Sequence, residues 1–259
     1  MVFISMMPLI MVRRLSLFGF IIGTILIMLL PILGTDYGKG AVRWFSFASI
    51  SLQPSEFLKP CFIIFSGWIM KSSFDLNGPP GRLISFVIAF FISVLLALQP
   101  DFGQAALIIG SWAIMYFVSG ASLLLFTLII FLLSGCGFFA YLKSEHVRER
   151  INGFLSPDIN PLTQIGYATN AIKEGGYLGV GLGEGSVKWK LPDAHTDFII
   201  AVAAEEYGLL LCLLIIFIFV FIVIRSMIRL TGEVSTFIRL SGIGMTSLLA
   251  MQAIINLGV

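Results

Sequence analysis

Three acidic side chains that are candidates for a chemical role lie in one short stretch of this sequence, next to a long apolar run. In LPDAHTDFIIAVAAEEYG, residues 191–208, Asp197 directly precedes the apolar run, and Glu205 and Glu206 lie within it. An ionised carboxylate is costly inside a bilayer, so an acid kept there is a candidate catalytic or ligand-binding group.

Helix geometry gives Asp197 a distinctive surrounding. At 100° per residue, Ala201, Ala204 and Gly208 fall within about 40° of the direction of Asp197. This helix face is therefore paved with small residues. It could line a groove or receive another helix.

The remaining polar residues of the stretch leave the role of Asp197 open. Glu206 points to the opposite side of the helix and Glu205 to its flank, so the three acids do not form a metal cage. Either glutamate could hydrogen-bond across the helix bundle or stay protonated. Asp197 could be catalytic, could bind a ligand, or could only complement the helix dipole, with His195 or Thr196 as the cap.

A second set of charged residues begins two other apolar runs. In LQPSEFLKP, Glu56 and Lys59 are spaced i, i+3 and can neutralise each other on one helix face. This pair either closes a helix end or organises a cavity. In LQPDFGQ, Asp101 lies at a break between two runs, where an N-cap is expected.

The glycine series EGGYLGVGLGEG precedes Lys188 and Lys190. It matches neither the dinucleotide-binding fingerprint nor a P-loop. Dense glycines allow backbone amides to form an anion-binding nest, and the two lysines would add to it. The alternative interpretation is a flexible surface loop.

The elements that must position these residues are membrane helices. Hydrophobic residues make up 58% of the chain and charged residues 12%, with the apolar residues in long runs. This pattern predicts an all-α polytopic membrane protein: a helical bundle of about seven complete spans plus an N-terminal stub, with a large extracytoplasmic loop. The predicted spans are residues 15–33, 55–70, 83–98, 105–118, 121–142, 198–224 and 237–259.

Smaller sequence features exclude some functions and add one packing prediction. The net charge of +2 and dispersed basic residues give no support to nucleic-acid binding. Cys61, Cys136 and Cys212 are far apart and lack metal-ligand spacing, so no disulfide or zinc site is expected. Gly19 and Gly23 form a G-x-x-x-G pattern that lets a neighbouring helix approach closely.

Charge in the connections predicts the orientation of the chain. Alternating spans place Arg13, Arg14, Lys71, Arg82 and Arg225 on one side, which the positive-inside tendency makes cytoplasmic. The opposite side receives residues 143–196, a loop whose aromatic residues indicate order. Its basic residues suggest an anionic ligand.

Several strings together resemble the SEDS (shape, elongation, division and sporulation) family. They are AHTDFIIAVAAEEYGLL, GGYLGVGLGEGSVKWKLPD, RINGFLSPDINP, LQPDFGQAAL and KGAVRWFSFASISLQPSEFLK, and they span nearly the whole chain. QPDFG and LPDAHTDF are more similar to the division branch than to the elongation branch, in an alphaproteobacterial form. The resemblance implies one membrane domain over residues 1–259 with a periplasmic loop at 143–196.

The resemblance also implies an activity and residues that serve it. The family polymerises lipid II into peptidoglycan strands in the bacterial inner membrane, here at the division septum, with Asp197 implied as general base. Arg43, Lys188, Lys190, His195 and Thr196 become candidates for binding substrate or pyrophosphate. Glu56 and Lys59 match the family's ion pair beside the cavity.

The implied partners are lipid II, the growing glycan strand, membrane lipids, a class B penicillin-binding transpeptidase and other divisome membrane proteins, but no nucleic acid. No tightly bound cofactor is expected, and a divalent cation, Mg²⁺ or Mn²⁺, is an option for bridging the phosphates.

Two departures from the family pattern accompany the resemblance. Family members have about ten spans, so the chain is expected to be truncated at both ends. Val42 stands before Arg43 where two adjacent arginines are usual. A lipid II flippase and a non-catalytic divisome scaffold remain alternatives to the transferase, although few polar residues mark a path through the bilayer.

Overall fold

The structure is a computed structural model that describes residues 6–35, 43–47, 50–75, 78–120, 123–143, 145, 148, 152, 164–189 and 198–258. Nine α-helices make up most of these ranges, which confirms the predicted all-α class. They are α1 (Leu9–Leu33), α2 (Pro54–Ser72), α3 (Gly81–Leu98), α4 (Phe102–Val118), α5 (Leu123–Lys143), α6 (Gln164–Gly175), α7 (Ile199–Tyr207), α8 (Leu209–Thr231) and α9 (Thr236–Gly258).

Two smaller elements were not predicted from the sequence. A short antiparallel hairpin pairs β1 (Phe45–Phe47) with β2 (Ile50–Leu52), so that Phe45 lies opposite Leu52. A 3-10 helix, Val187–Trp189, follows the glycine series.

Membrane-spanning character is clearest in four helices of the described ranges. By length and composition, α1, α3, α8 and residues 236–256 of α9 are long and apolar enough to cross a bilayer, and α4 is a shorter apolar helix. The chain is therefore a multi-pass membrane protein. Helices α2, α4 and α5 occupy the positions of the other predicted spans.

Two predicted boundaries were wrong. The span predicted at residues 198–224 is two helices, α7 and α8, because Gly208 between them has φ 81° and ψ 178°, which ends the first helix. The N-terminal stub is not separate from the first span. Arg13 and Arg14 lie within α1, which starts directly after Pro8.

The chain divides into two compact units. The first contains residues 1–122 and 223–251. Within it α1 packs on α2 at the predicted G-x-x-x-G pattern: a Cβ atom on Gly19 would lie 2.5 Å from Cys61 Sγ, and one on Gly23 would lie 3.1 Å from Leu58 Cβ. The predicted close helix approach is confirmed.

A proline inside α1 explains one contact between helices of the first unit. Pro31 has no N–H, so the carbonyl of Ile27, four residues earlier, lacks its usual helical donor. The side-chain Nε2 of Gln99 donates to that carbonyl at 2.6 Å. This bond satisfies a backbone group that a bilayer could not hydrate.

The second unit contains residues 123–222 and 252–259. Its described core joins α6, the 3-10 helix and the start of α7 through Ala168, Ala171, Val187, Phe198 and Ala201. Within the long loop, the described residues 164–189 include α6 and the 3-10 helix.

Candidate functional site

A polar cluster in the first unit gathers side chains from three elements. We define it as Arg43, Glu56, Lys59, Asp101 and Gln104. Arg43 precedes β1, Glu56 and Lys59 lie in the first two turns of α2, and Asp101 and Gln104 lie at the start of α4.

Local sequence explains why α2 starts where it does. Gln53 is the N-cap residue and Pro54 takes the first helical position, where its missing N–H costs nothing. Glu56 then falls in the first turn, where its negative charge complements the positive end of the helix dipole.

Glu56 is the acceptor at the centre of the polar cluster. Its Oε1 accepts hydrogen bonds from Lys59 Nζ at 2.8 Å and from Gln104 Nε2 at 2.9 Å. The side chain of Lys59 is 1% exposed, whereas that of Glu56 is 40% exposed. The predicted ion pair is therefore present, with a buried ammonium and a carboxylate that reaches the surface. Removing Glu56 would leave the buried ammonium of Lys59 without its anionic partner, at a cost below the roughly 3 to 5 kcal/mol of a fully buried pair because Glu56 is partly exposed.

Arg43 and Asp101 form the other half of the cluster. Asp101 is the N-cap residue of α4, as predicted, and its carboxylate lies 3.8 Å from the guanidinium of Arg43. Arg43 also donates to the carbonyl of Pro100. Burial raises the pKa of the Asp101 carboxyl, and the positive charge of Arg43 acts in the opposite direction.

These contacts place Arg43 as a candidate ligand-binding residue. Its side chain is 29% exposed and is held against the turn between α3 and α4. Gln104 was missed by the sequence reasoning. The available signal was its position three residues after Asp101, one turn along the same helix.

The second unit contains a different carboxylate site. Glu205 is 1% exposed, and its Oε1 accepts the backbone N–H groups of Ser186 at 2.6 Å and Val187 at 2.9 Å. The sequence suggested a bond across the helix bundle. The observed bonds instead join α7 to the loop that ends the glycine series.

The glycine series is bonded to the end of α7. The N–H of Gly179 donates to the Gly175 carbonyl at the end of α6. The N–H of Val180 donates to the Glu205 carbonyl at 2.9 Å, and the N–H of Gly181 donates to the Glu206 carbonyl at 3.2 Å. These amides are used by the chain itself, so this part of the series is not a nest for an external anion.

The small-residue face of α7 receives another helix. Ala201 and Ala204 are buried, and a Cβ atom on Gly175 at the end of α6 would lie 2.8 Å from the Cα atom of Glu205. Of the two predicted uses of this face, groove or helix contact, the described residues form the helix contact.

The residues with the strongest predicted roles lie outside the described ranges. They are Lys190, His195, Thr196 and Asp197, and only the backbone of Lys188 is described. Phe198, the residue after Asp197, is 6% exposed in the core formed with α6. The chain is therefore anchored directly beside Asp197.

No cluster of three His, Cys, Asp or Glu side chains occurs among the described residues. Cys61 and Cys212, the two cysteines whose side chains the structure describes, are free thiols. The divalent cation stays a prediction.

Comparison with known proteins identifies relatives along the full sequence. The family model described as cell cycle protein, FTSW_RODA_SPOVE, matches residues 1–259. A relative from Caulobacter vibrioides named "Probable peptidoglycan glycosyltransferase FtsW" is 38% identical over 250 residues, which cover 96% of this chain and 63% of the relative. A relative of the same name from Nitrosococcus halophilus is 35% identical over 249 residues, 92% of this chain and 63% of the relative. The chain thus spans 63% of the length of these curated relatives.

Solved structures share the fold at low sequence identity. A chain from a peptidoglycan synthase complex, described as coordinating polymerization and crosslinking, matches with a TM-score of 0.77 and 22% identity, covering 99% of this chain and 73% of that one. The rod shape determining protein RodA of Thermus thermophilus matches with a TM-score of 0.61 and 20% identity, covering 95% and 67%.

Proposed function

The chain belongs to the FtsW, RodA and SpoVE family of cell cycle proteins, and from that premise we propose that it polymerises lipid II into peptidoglycan glycan strands during cell division. The observation that carries the proposal is the similarity, over 96% of the chain, to a relative named a peptidoglycan glycosyltransferase FtsW. The division role is supported by the same relative and by the relative from Nitrosococcus halophilus, which carry the name FtsW at 38% and 35% identity.

The proposed reaction is an inverting displacement with Asp197 as general base. The 4-hydroxyl oxygen of the acceptor sugar forms a bond to the anomeric carbon of the donor. The bond from that carbon to the pyrophosphate oxygen breaks, and its electron pair leaves with undecaprenyl pyrophosphate. The hydroxyl proton passes to the Asp197 carboxylate.

The leaving group needs charge stabilisation more than protonation, because a pyrophosphate is already a weak base. Arg43, Lys188 and Lys190 are the proposed cations, with His195 and Thr196 as further contacts to substrate. Arg43 is supported by its position: a guanidinium held by a backbone carbonyl and a carboxylate, yet still 29% exposed, is oriented before any ligand arrives.

The Glu56 and Lys59 pair is proposed to shape the site rather than to react. Its ammonium is buried and bonded to Glu56, so it is not free to meet a phosphate. The pair and Gln104 tie the start of α2 to the start of α4. Its effect on catalysis would therefore come through the positions of those helices.

A divalent cation would be held chiefly by the substrate's phosphates. In the polar cluster the Oε1 atom of Glu56 is already bonded to Lys59 and Gln104, and the Asp101 carboxylate is paired with Arg43. These residues do not form a metal cage. The cation's contribution would be Lewis-acid stabilisation of the leaving pyrophosphate.

The proposed setting is the bacterial inner membrane at the division septum, with the loop at residues 143–196 in the periplasm. The proposed partner is a class B penicillin-binding transpeptidase. It is supported by the fold shared with a chain of a peptidoglycan synthase complex. Other divisome membrane proteins and the growing glycan strand complete the proposed set of partners.

Lipid II polymerisation by the purified chain with its transpeptidase partner tests this proposal. Asp197→Asn keeps the size of the side chain and removes the base, so we expect strand formation to fall by roughly 100-fold or more. Asp75→Asn is the matched control, because Asp75 is an exposed acid in the turn after α2 and no role is proposed for it.

Equal activity of wild type and Asp197→Asn would remove Asp197 from the chemistry. A wild-type chain that forms no strands, where the Caulobacter relative forms them with the same partner, would contradict the transferase proposal. A lipid II translocation assay would then separate a flippase from a scaffold.

A further inference from the structure

Residues 176–185, which we call the glycine turn, present large apolar side chains outward. Tyr177 is 76% exposed, Leu178 79% and Leu182 74%, and Val180 is also exposed. Scattered exposed apolar residues are common on proteins, but four within six consecutive positions form a concentrated apolar surface.

Part of the backbone of the glycine turn is hydrogen-bonded within the chain itself. The amides of Gly179, Val180 and Gly181 donate to carbonyls of α6 and α7, as described above. The carbonyls of Gly176 and Tyr177 accept the amides of Leu209 and Leu210 at 2.9 Å and 3.4 Å. Backbone groups that are bonded in this way cost less to place at the edge of a bilayer, because they do not need water as a partner.

The two bonds to Leu209 and Leu210 also fix the position of the glycine turn along the axis of α8. Leu209 and Leu210 form the first turn of α8, which is one of the helices long and apolar enough to cross the membrane. Only 6% of the apolar window of α8 is buried, so most of this apolar surface faces away from the other described residues. The glycine turn therefore lies beside the N-terminal end of a helix that is long and apolar enough to cross the membrane and is exposed along its length.

We infer that the glycine turn inserts Tyr177, Leu178 and Leu182 into the phospholipid leaflet at the N-terminal end of α8. Leu178 and Leu182 would enter the acyl region, while the amphipathic ring of Tyr177 suits the headgroup level. Glu184 is exposed on the same turn, which limits the insertion to a shallow depth. The apolar surface of α8 thus continues onto the loop that precedes it. This inference does not depend on the proposed enzymatic activity.

Fluorescence quenching of single-cysteine variants tests the insertion. Leu178→Cys and Leu182→Cys are prepared with Cys61, Cys136 and Cys212 replaced by serine, labelled with an environment-sensitive dye and reconstituted into phosphatidylcholine and phosphatidylglycerol vesicles. We expect brominated lipids to quench both labels several-fold more than they quench a label at Glu174→Cys, an exposed position on α6. Iodide in the aqueous phase should quench the label at position 174 more strongly than the labels at positions 178 and 182.

Labels at Leu178 and Leu182 that iodide quenches as strongly as the Glu174 label would overturn the inference. Labels shielded from both quenchers would overturn it as well, because they would show contact with protein instead of lipid. Folding is checked by thermal unfolding of each variant, which should be the same before and after labelling because the side chains at all three labelled positions are exposed.

Discussion

Glu205 illustrates how a buried acid is accommodated at the residue scale. Its carboxylate is almost fully enclosed, and its Oε1 atom receives two backbone N–H groups from the loop that follows the glycine series. Gly185 is part of this arrangement, since a Cβ atom there would lie 2.9 Å from Glu205 Oε2. Glu205 therefore connects α7 to the 3-10 helix Val187–Trp189, which includes Lys188.

Glu205→Ala is expected to destabilise the second unit. It leaves the amides of Ser186 and Val187 without their acceptor, which costs about 1 to 3 kcal/mol for buried groups. Glu205→Gln retains an acceptor oxygen and should therefore lose less stability than Glu205→Ala. Thermal unfolding in detergent measures the effect, and Glu174→Ala on exposed α6 surface is the control. An alanine variant as stable as the control would contradict the assigned role.

The residue types at the two carboxylate sites were predictable, but not all their partners. The i, i+3 spacing of Glu56 and Lys59 was enough to predict their ion pair, because both lie on one helix. The bond from Gln104 to Glu56 joins two helices, and the bonds from Ser186 and Val187 to Glu205 join a loop to a helix. Such long-range contacts leave no periodic signal in a sequence.

At the scale of elements, the joint between α7 and α8 is the main departure from the predicted span. The apolar run continues on both sides of Gly208, so hydropathy alone indicated one helix. With φ 81° and ψ 178°, Gly208 adopts a conformation that is essentially restricted to glycine. Its N–H still bonds to the carbonyl of Ala204, which completes the end of α7.

Gly208→Ala is expected to lower stability by at least about 1 to 3 kcal/mol because of this backbone conformation. The added Cβ would also lie 2.5 Å from the amide nitrogen of Gly179. Gly103→Ala provides the contrast, since no atom lies within 4 Å of its Cβ position and alanine favours the helix by roughly 0.5 to 1 kcal/mol. Chemical denaturation of both variants gives the comparison, and equal stabilities would show that the Gly208 conformation is not required.

At the scale of the whole molecule, the orientation in the membrane is a prediction from charge and helix alternation. The connection after α2 and the loop containing α6 are predicted to lie on opposite sides, cytoplasmic and periplasmic respectively. Charge counts alone are indecisive, because residues 143–196 also contain basic side chains. The multi-pass class was predictable from composition, since apolar runs of this length have few other uses.

Cysteine accessibility tests the orientation. In intact spheroplasts a membrane-impermeant maleimide should label Lys173→Cys on α6 but not Asp75→Cys after α2, in a chain otherwise free of cysteine. Both positions are exposed, so burial does not decide the result. Permeabilised cells should show labelling at both. The opposite pattern in intact cells would reverse the orientation and place the loop at residues 143–196 in the cytoplasm.

The contact between Gln99 and the Ile27 carbonyl has a consequence for how this sequence can evolve. Replacing Pro31 by another residue would provide a backbone N–H donor for the Ile27 carbonyl. The side chain of Gln99 would then no longer be needed as the donor to that carbonyl. Replacing Gln99 alone with an apolar residue would leave the Ile27 carbonyl without a hydrogen-bond donor in an apolar setting. Each substitution is tolerated best when the other has already occurred. Positions 31 and 99 are therefore expected to change together across relatives, although they lie 68 positions apart in the sequence.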